Sequence, residues 1–323
     1  MSAGLDIGAS SIKLVKLKFL KETVELAACE IVASQPDNST LIENLVQKHS
    51  LDRVNISVSG SGVVTRYALF PKMQPQELNQ SLKFEAQKHI PFDINDVYLD
   101  AHILKTDLAD NKMLVLVCAV KKDSVDPRLK LYENLGLRVN VIDIDCLCVI
   151  NSFLFNYSDE REALKTFALL NVGAKVSNLG IVDEGLPGLN RDIHIGGDNF
   201  TRGIQDALQL DIAQAEAIKI NPDPAHAAAA SAAAESVVSS LAAEIRTSFD
   251  YYESQNASSV GKILLSGAAS QLTGFRDSLA NMLGIEVDYW DPLRRLIFGA
   301  GLDAQKLKAF APQLAVCVGL ALR

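Results

Sequence analysis

Leu5-Asp6-Ile7-Gly8-Ala9-Ser10-Ser11-Ile12-Lys13-Leu14 lies at the N-terminus, and the rest of the chain is organised around it. It reads as an apolar strand, a turn of small residues and a second strand. A glycine among small neighbours lets backbone N–H groups approach an anion that a bulkier turn would exclude. Ser10 and Ser11 add hydroxyl donors, and Lys13 adds a positive charge. Asp6, at the strand end, carries a carboxylate suited to hold a hydrated divalent cation beside a phosphate. Taken alone, the turn reads equally as an ordinary hairpin with a structural glycine. About half the chain later the pattern returns as Leu170-Asn171-Val172-Gly173-Ala174-Lys175-Val176-Ser177-Asn178-Leu179. Both copies run Leu, Asp or Asn, a β-branched residue, Gly, Ala, and both lead into apolar, strand-like sequence. Such a repeat predicts two similar half-molecules, each offering one hairpin to a shared ligand.

A chain of 323 residues accommodates two domains or one large two-lobed one, and 48% hydrophobic residues supply sizeable cores. The formal charge of −8 argues against a broad nucleic-acid surface. Five cysteines show no metal-ligand spacing. Cys146 and Cys148 would share a face on a strand, and read as buried, inert thiols. An odd cysteine count fits a reducing compartment. The first residues run into a strand without a basic, then apolar, leader, and no apolar run reaches membrane length. The expectation is a cytoplasmic chain with no membrane insertion of its own.

In chain order, residues 11–19 and 22–33 read as paired strands, 40–49 as a helix with Leu41, Leu45 and Val46 on one face, and 54–59 as a strand. A separate module of β-α-β-β-α order fits 62–137: a strand at 63–70, a helix from Pro75 to about Ile90 stopped by Pro91, strands at 97–105 and 112–120, and a helix at 124–134. Residues 138–144 return to strand and 145–156 to helix. The polar run 158–162 marks a boundary. After the second hairpin come strands ending near Ile195, then Gly196-Gly197-Asp198 ahead of a helix starting near Asn199. N–H groups at such a helix start can receive a phosphate, or the stretch is a simple loop-to-helix turn. In the short helix 211–220, Glu216 and Lys219 form either a surface ion pair or a carboxylate and amine presented to a ribose. The alanine-rich stretch from 225 continues into Val237, Leu241, Ile245, Phe249 and Tyr252, the stripe of one long packed helix. The turn Gly267-Ala268-Ala269 then precedes a helix over 272–283, and either lets a base or sugar lie on the backbone or is an ordinary βα turn. Residues 285–288 read as an edge strand and 314–322 as a helix between lobes.

Two hairpins, a Gly-Gly-Asp helix start, a Glu-x-x-Lys helix and a late Gly-Ala-Ala turn, in that order, resemble the actin, sugar-kinase and heat-shock-chaperone ATPase superfamily end to end. Within the 62–137 module stand Arg66, Pro71, Met73, Glu77-Leu78, Glu85-Ala86, Ile90-Pro91-Phe92, Val97 and Asp100, with Ile193-His194-Ile195-Gly196-Gly197 and Thr201 further on. This arrangement is similar to the type IV pilus assembly protein PilM family. The position of the module also matches the cell-division protein FtsA. The chain stops at Leu320-Ala321-Leu322-Arg323 without FtsA's terminal amphipathic helix, which favours PilM.

The resemblance implies an α/β, two-lobed actin-like ATPase fold with duplicated mixed sheets, flanking helices and an inserted subdomain. Its expected parts are a first lobe over 1–61 and 138–164, the insert 62–137, a second lobe over 165–303 with a helical subdomain near 205–255, and a C-terminal helix, 304–323, returning to the first lobe. It implies bound ATP or ADP with Mg2+, phosphates gripped by Gly8, Ala9, Ser10, Ser11, Lys13, Gly173, Ala174, Lys175, Ser177, Gly196, Gly197 and Asp198, adenosine held by Glu216, Lys219, Gly267, Ala268 and Ala269, and the cation reached by Asp6 through water. The implied role is a cytoplasmic scaffold, held peripherally at the inner membrane by the short N-terminal tail of a PilN-type protein in a groove between the first lobe and the insert. Contact with the pilus motor and self-association belong to the same picture. Arg66 and Phe70, on the insert's edge, are offered as partner-binding residues. Asn171 stands where the family usually has Asp, so the expectation is binding with slow or absent hydrolysis, at most a weak ATPase. A filament-forming protein of FtsA type and a small-molecule kinase of the same superfamily are the alternatives.

Overall fold

A computed structural model describes residues 1–157, 166–222 and 224–323. The polar run 158–162 and the expected boundary at 164 lie outside the described residues. The chain opens with β1 (Ser2–Ile7), β2 (Ser11–Phe19), β3 (Val24–Ala33), α1 (Ser39–His49) and β4 (Arg53–Val58). Leu14 and Val15 face opposite sides of β2 and are both fully buried, as a central strand requires. The buried seat of α1 is Ile42 and Leu45, not the expected Leu41-Leu45-Val46 face. Leu41 and Val46 flank it half-buried, because a 3.6-residue period centres the stripe between them.

Residues 58–139 form a compact unit of their own. It holds β5 (Val63–Pro71), α2 (Pro75–Ala86), β6 (Val97–Leu108), β7 (Lys112–Lys121) and α3 (Lys122–Asn134), with an antiparallel sheet in the order β5-β7-β6. Leu78, Leu82 and Ala86 on α2 cover Ala68, Phe70, Met113, Val115 and Val117. The helix starts with Pro75 in its first turn, where the Glu77 carboxylate accepts the Gln74 N–H at 2.8 Å. It ends at Ala86, short of the expected Ile90. Pro91 disfavours helical geometry in the residue before it, and the chain unwinds one turn earlier, with the His89 and Ile90 N–H groups both donating to the Ala86 carbonyl. β6 runs past the expected stop at 105, because Asp110 and Asn111 at positive φ tighten the hairpin tip to Ala109–Asn111.

The second unit comprises residues 1–57 and 140–323. After β8 (Arg138–Ile144) and α4 (Asp145–Tyr157) come β9 (Phe167–Val172), β10 (Ser177–Asp183), β11 (Leu186–Ile193), α5 (Gly197–Leu208), α6 (Ile212–Ile220) and α7 (Ala227–Gln255). β12 (Lys262–Ser266), α8 (Phe275–Leu283), β13 (Glu286–Tyr289), β14 (Leu296–Phe298), α9 (Ala304–Phe310) and α10 (Ala315–Ala321) complete it. One sheet has the order β14-β3-β2-β1-β4-β8 and the other β11-β10-β9-β12-β13. With β14 set aside the two orders are the same. Each opens with an antiparallel meander whose first strand then pairs in parallel with a later one, β4 or β12. This is the duplication that the repeated hairpin announced, and it makes the chain a two-lobed α/β fold.

Helices α4 and α10 join the two sheets. All seven residues of α10 are buried, packed on β1, β2 and α4, while α4 also touches β9, β10 and β11. A Cβ at Gly319 would collide with the Cys148 carbonyl, so the two helices meet backbone to backbone. Cys146 and Cys148 lie on the helix α4, so they do not share a face as they would on a strand. On a helix, residues two apart point about 200° away from each other. Cys146 Sγ lies against Gly180 on β10, while the backbone of Cys148 faces α10. Burial pushes both thiols well above their ordinary value, so they are inert.

In the second lobe, Leu241, Ile245, Phe249 and Tyr252 of α7 enter the core with Phe200, Phe275 and Leu279, while Val238 takes the buried place expected of Val237, which packs half-buried against the cluster. α5 begins two residues earlier than the sequence suggested, at Gly197, and α8 three later, at Phe275, behind Gly274 at φ 78°. β14, three residues long, is too short for any periodic signal. It pairs with β3.

Candidate nucleotide site

In the first hairpin the Gly8 N–H donates to the Ser11 carbonyl at 3.0 Å, closing the turn. Ser34 pins the turn from β3's end. Its hydroxyl donates to the Gly8 carbonyl at 2.8 Å and its N–H to the Ser10 carbonyl at 3.0 Å. Ala9 and Ser10 are exposed at the apex, and Ser11 is half-buried. Directly below, Asp6 and Lys13 are register partners on β1 and β2, 3.0 Å apart, with side chains only 13% and 12% exposed. Burial alone would lower the Lys13 ammonium. The Asp6 carboxylate outweighs it, with help from Asp145 at the start of α4, and the group titrates above the ordinary lysine value. Lys13 therefore stays charged at the foot of the turn, where an incoming phosphate needs a cation.

The second hairpin repeats the first down to its closing bond, Gly173 N–H to the Val176 carbonyl at 3.1 Å. Its register pair differs. Asn171 and Asn178 occupy the positions of Asp6 and Lys13, and the Asn171 amide donates to Asn178 Oδ1 at 3.0 Å. An ionic pair has become a neutral one. Lys175 is exposed at the apex. Ser177 is fully buried, and its hydroxyl is spent on the Ile195 carbonyl at 2.6 Å, so it fixes the hairpin instead of facing a ligand.

The Gly-Gly-Asp helix start does something other than expected. Its Gly197 N–H donates to the Gly173 carbonyl at 2.9 Å and its Asp198 N–H to the Ala174 carbonyl at 2.7 Å. The Gly196 N–H is capped by Asn199 Oδ1 at 3.0 Å. The Gly197 and Asp198 donors, which the sequence reading offered to a phosphate, are thus consumed in clamping the second hairpin. The clamp needs a glycine at 196, since a Cβ there would lie 2.7 Å from both the Gly173 and Ala174 carbonyl oxygens.

Glu216 and Lys219 prove to be no ordinary surface pair. Lys219, with 11% of its side chain exposed, reaches Glu216 at 2.6 Å, the Thr201 hydroxyl at 2.9 Å and the Gly197 carbonyl at 3.3 Å. The buried Thr201 hydroxyl also bonds Glu216. The late turn arrives at the same point. A Cβ built on Gly197 lies 3.4 Å from Ala269 Cβ, 3.6 Å from Ala174 Cα and 3.6 Å from Lys219 Nζ. The structure thus brings the second hairpin, the α5 start, α6 and the late turn to one place. Gly267 sits at φ 89°, its N–H bonded to the Pro312 carbonyl at 2.7 Å, and Ala268 is exposed beside it.

The residues fit a nucleotide's phosphates. Gly8 leaves open the space that a Cβ would fill between the Ser11 carbonyl and Lys13 Nζ, 3.0 and 3.4 Å away, and Lys13 supplies charge there. The Asp6 carboxylate is engaged by Lys13 at 3.0 Å, so a cation here would be reached through water and not ligated directly. Sequence reasoning missed Asp145, Asn178, Asp192 and Ser266. The echo itself would have found Asn178, which follows Asn171 at the same spacing as Lys13 follows Asp6. Of the two partner candidates, Arg66 is exposed, but Phe70 is 1% exposed and belongs to the core under α2. Strand alternation points Phe70 inward with Ala68 and leaves Leu69, 58% exposed, outward.

Residues 4–323 match the family described as type IV pilus assembly protein PilM. Among solved structures, the chain is similar to a PilM-PilN type IV pilus biogenesis complex, at 25% identity and a TM-score of 0.87, covering 100% of this chain and 98% of that one. It shares its fold with the ethanolamine utilization protein EutJ of Carboxydothermus hydrogenoformans, at 13% identity and TM-score 0.58, over 99% of this chain and 89% of that one. The fold also extends to MreB5 of Spiroplasma citri, solved bound to ADP, at 8% identity and TM-score 0.52, over 98% and 94% of the two chains. Among the described residues, no helix is long and apolar enough to cross a membrane.

Proposed function

The chain belongs to the type IV pilus assembly protein PilM family, and from that premise we propose that it is an actin-like scaffold that holds an adenine nucleotide and binds the N-terminal tail of a PilN-type membrane protein. The observation that carries the partner is the match over the whole chain to a PilM-PilN complex at TM-score 0.87. The nucleotide rests on the charged foot of the first hairpin and on the convergence around Gly197. ATP or ADP lies with its phosphates at Gly8, Ala9, Ser10, Ser11 and Lys13 and at Gly173, Ala174 and Lys175. Its adenosine lies toward Glu216, Lys219 and the Gly267-Ala268-Ala269 turn. Magnesium, held through water by Asp6, offsets phosphate charge. Attachment at the inner membrane comes through the partner tail, and the scaffold passes contact on to the pilus motor.

Asn171 cannot accept a proton from an attacking water as a carboxylate does. Hydrolysis is accordingly slow or absent, and the nucleotide acts by being bound. Calorimetric titration of a PilN-type N-terminal peptide, with and without ATP and magnesium, tests this reading. Binding whose affinity changes with ATP gives a coupling free energy between the two sites and supports it. No binding in either condition rejects it.

A further inference from the structure

A row of four polar side chains crosses the second sheet at the foot of its hairpin. Ser266 on β12, Asn171 on β9, Asn178 on β10 and Asp192 on β11 are successive register partners. Ser266 Oγ donates to Asn171 Oδ1 at 3.2 Å, Asn171 Nδ2 to Asn178 Oδ1 at 3.0 Å, and Asn178 Nδ2 to Asp192 Oδ1 at 2.8 Å. Chemistry forces this direction. An ionised carboxylate only accepts, so Asn178 must turn its NH2 toward Asp192 and its carbonyl toward Asn171. Asn171 must then answer with its own NH2. The serine hydroxyl adapts to either sense, so the row takes its polarity from Asp192 alone.

The corresponding place in the first sheet holds the ion pair of Asp6 and Lys13, which puts a carboxylate on β1 at the hairpin foot. In the second sheet the hairpin foot is neutral and the negative charge stands two strands away. We propose that Asp192, acting through Asn178, is the positioning residue that locks Asn171 as a neutral hydrogen-bond donor beneath the second hairpin, so that a phosphate there meets an amide and no carboxylate. The inference deepens the nucleotide reading above and rests on it. The locked amide keeps one N–H for a phosphate oxygen and turns its carbonyl to Ser266, so this half of the site tolerates phosphate charge without a metal.

Charge-swap variants test it. N171D places carboxylates on both sides of Asn178, whose carbonyl then faces one of them. The nucleotide-free variant is expected to melt about 3 °C or more below the parent at neutral pH. N171D/D192N moves the charge to the hairpin foot and lets the row run in reverse with every bond kept, so the melting temperature returns. The same double variant is expected to bind ADP in EDTA about tenfold or more weakly than the parent, with magnesium recovering much of the loss. A row that only holds strands together would restore stability and binding alike. The proposal is overturned if N171D melts with the parent, if D192N does not rescue it, or if the double variant binds ADP in EDTA as the parent does. Should the parent bind no nucleotide at all, the functional reading fails, and the melts still decide the direction of the row.

Discussion

Replacing Gly196 by alanine probes the joint on which the candidate site depends. The backbone at 196 is extended, at φ −159°, so alanine is conformationally allowed and the penalty is one of contact. The new Cβ would lie 2.7 Å from the Gly173 and Ala174 carbonyl oxygens, the acceptors of the Gly197 and Asp198 N–H groups at 2.9 and 2.7 Å. Relief requires the hairpin and the helix start to separate by about half an ångström or more, which stretches both bonds. Two weakened hydrogen bonds at a largely buried joint cost about 2–4 kcal/mol. In a chain of this size that lowers the melting temperature by about 3–6 °C. Nucleotide affinity should fall as well, since the same movement displaces Ala174 and the Gly197 carbonyl that Lys219 reaches. Differential scanning calorimetry of the nucleotide-free chain and titration with ATP measure the two effects. A variant that melts within 1 °C of the parent and binds ATP equally would refute the clamp.

Lys219→Met removes the donor to Thr201 and Gly197 while keeping the stem, and is expected to weaken ATP binding by about tenfold in calorimetry. Lys13 carries a pH signature. Burial would lower its proton affinity, but Asp6 beside it raises it above the ordinary 10.5, so the folded chain holds this proton more tightly than the unfolded chain. Its stabilisation is full below the unfolded value and is lost as pH rises through the raised one, so Lys13→Met should flatten the alkaline limb of a stability–pH curve relative to the parent. On the insert, Phe70→Ala should cost about 3–5 kcal/mol in denaturant melts by emptying the core under α2. Leu69→Ser, on the exposed side of the same strand, should leave stability within about 1 kcal/mol and serve as the clean probe of partner binding.

The sequence carried the architecture because the architecture is a duplication, and a repeated Gly-Ala hairpin is visible without any structure. The long α7 stripe was legible for the same reason that any long amphipathic helix is: many turns report one face. Short elements were not. β14 offers three residues to a period-two signal, and the end of α2 depends on how far the Pro91 constraint reaches back. In the site, residue types were readable but their commitments were not. Nothing in Gly196-Gly197-Asp198 reveals that the first N–H donors of α5 are spent on the second hairpin, because their acceptors lie more than twenty residues away in sequence. Phe70 failed as a partner residue through a one-position error of strand phase, which exchanges buried and exposed faces. The row from Ser266 to Asp192 was invisible because it joins four strands, each contributing a single residue.

The most direct test of the account is a single-turnover experiment on the parent chain loaded with ATP and magnesium. One ATP is expected to be bound per chain and recovered intact, with conversion to ADP far slower than in a dedicated ATPase. Absence of bound nucleotide, or ADP appearing at the rate of such an enzyme, would contradict a scaffold that works by holding its nucleotide.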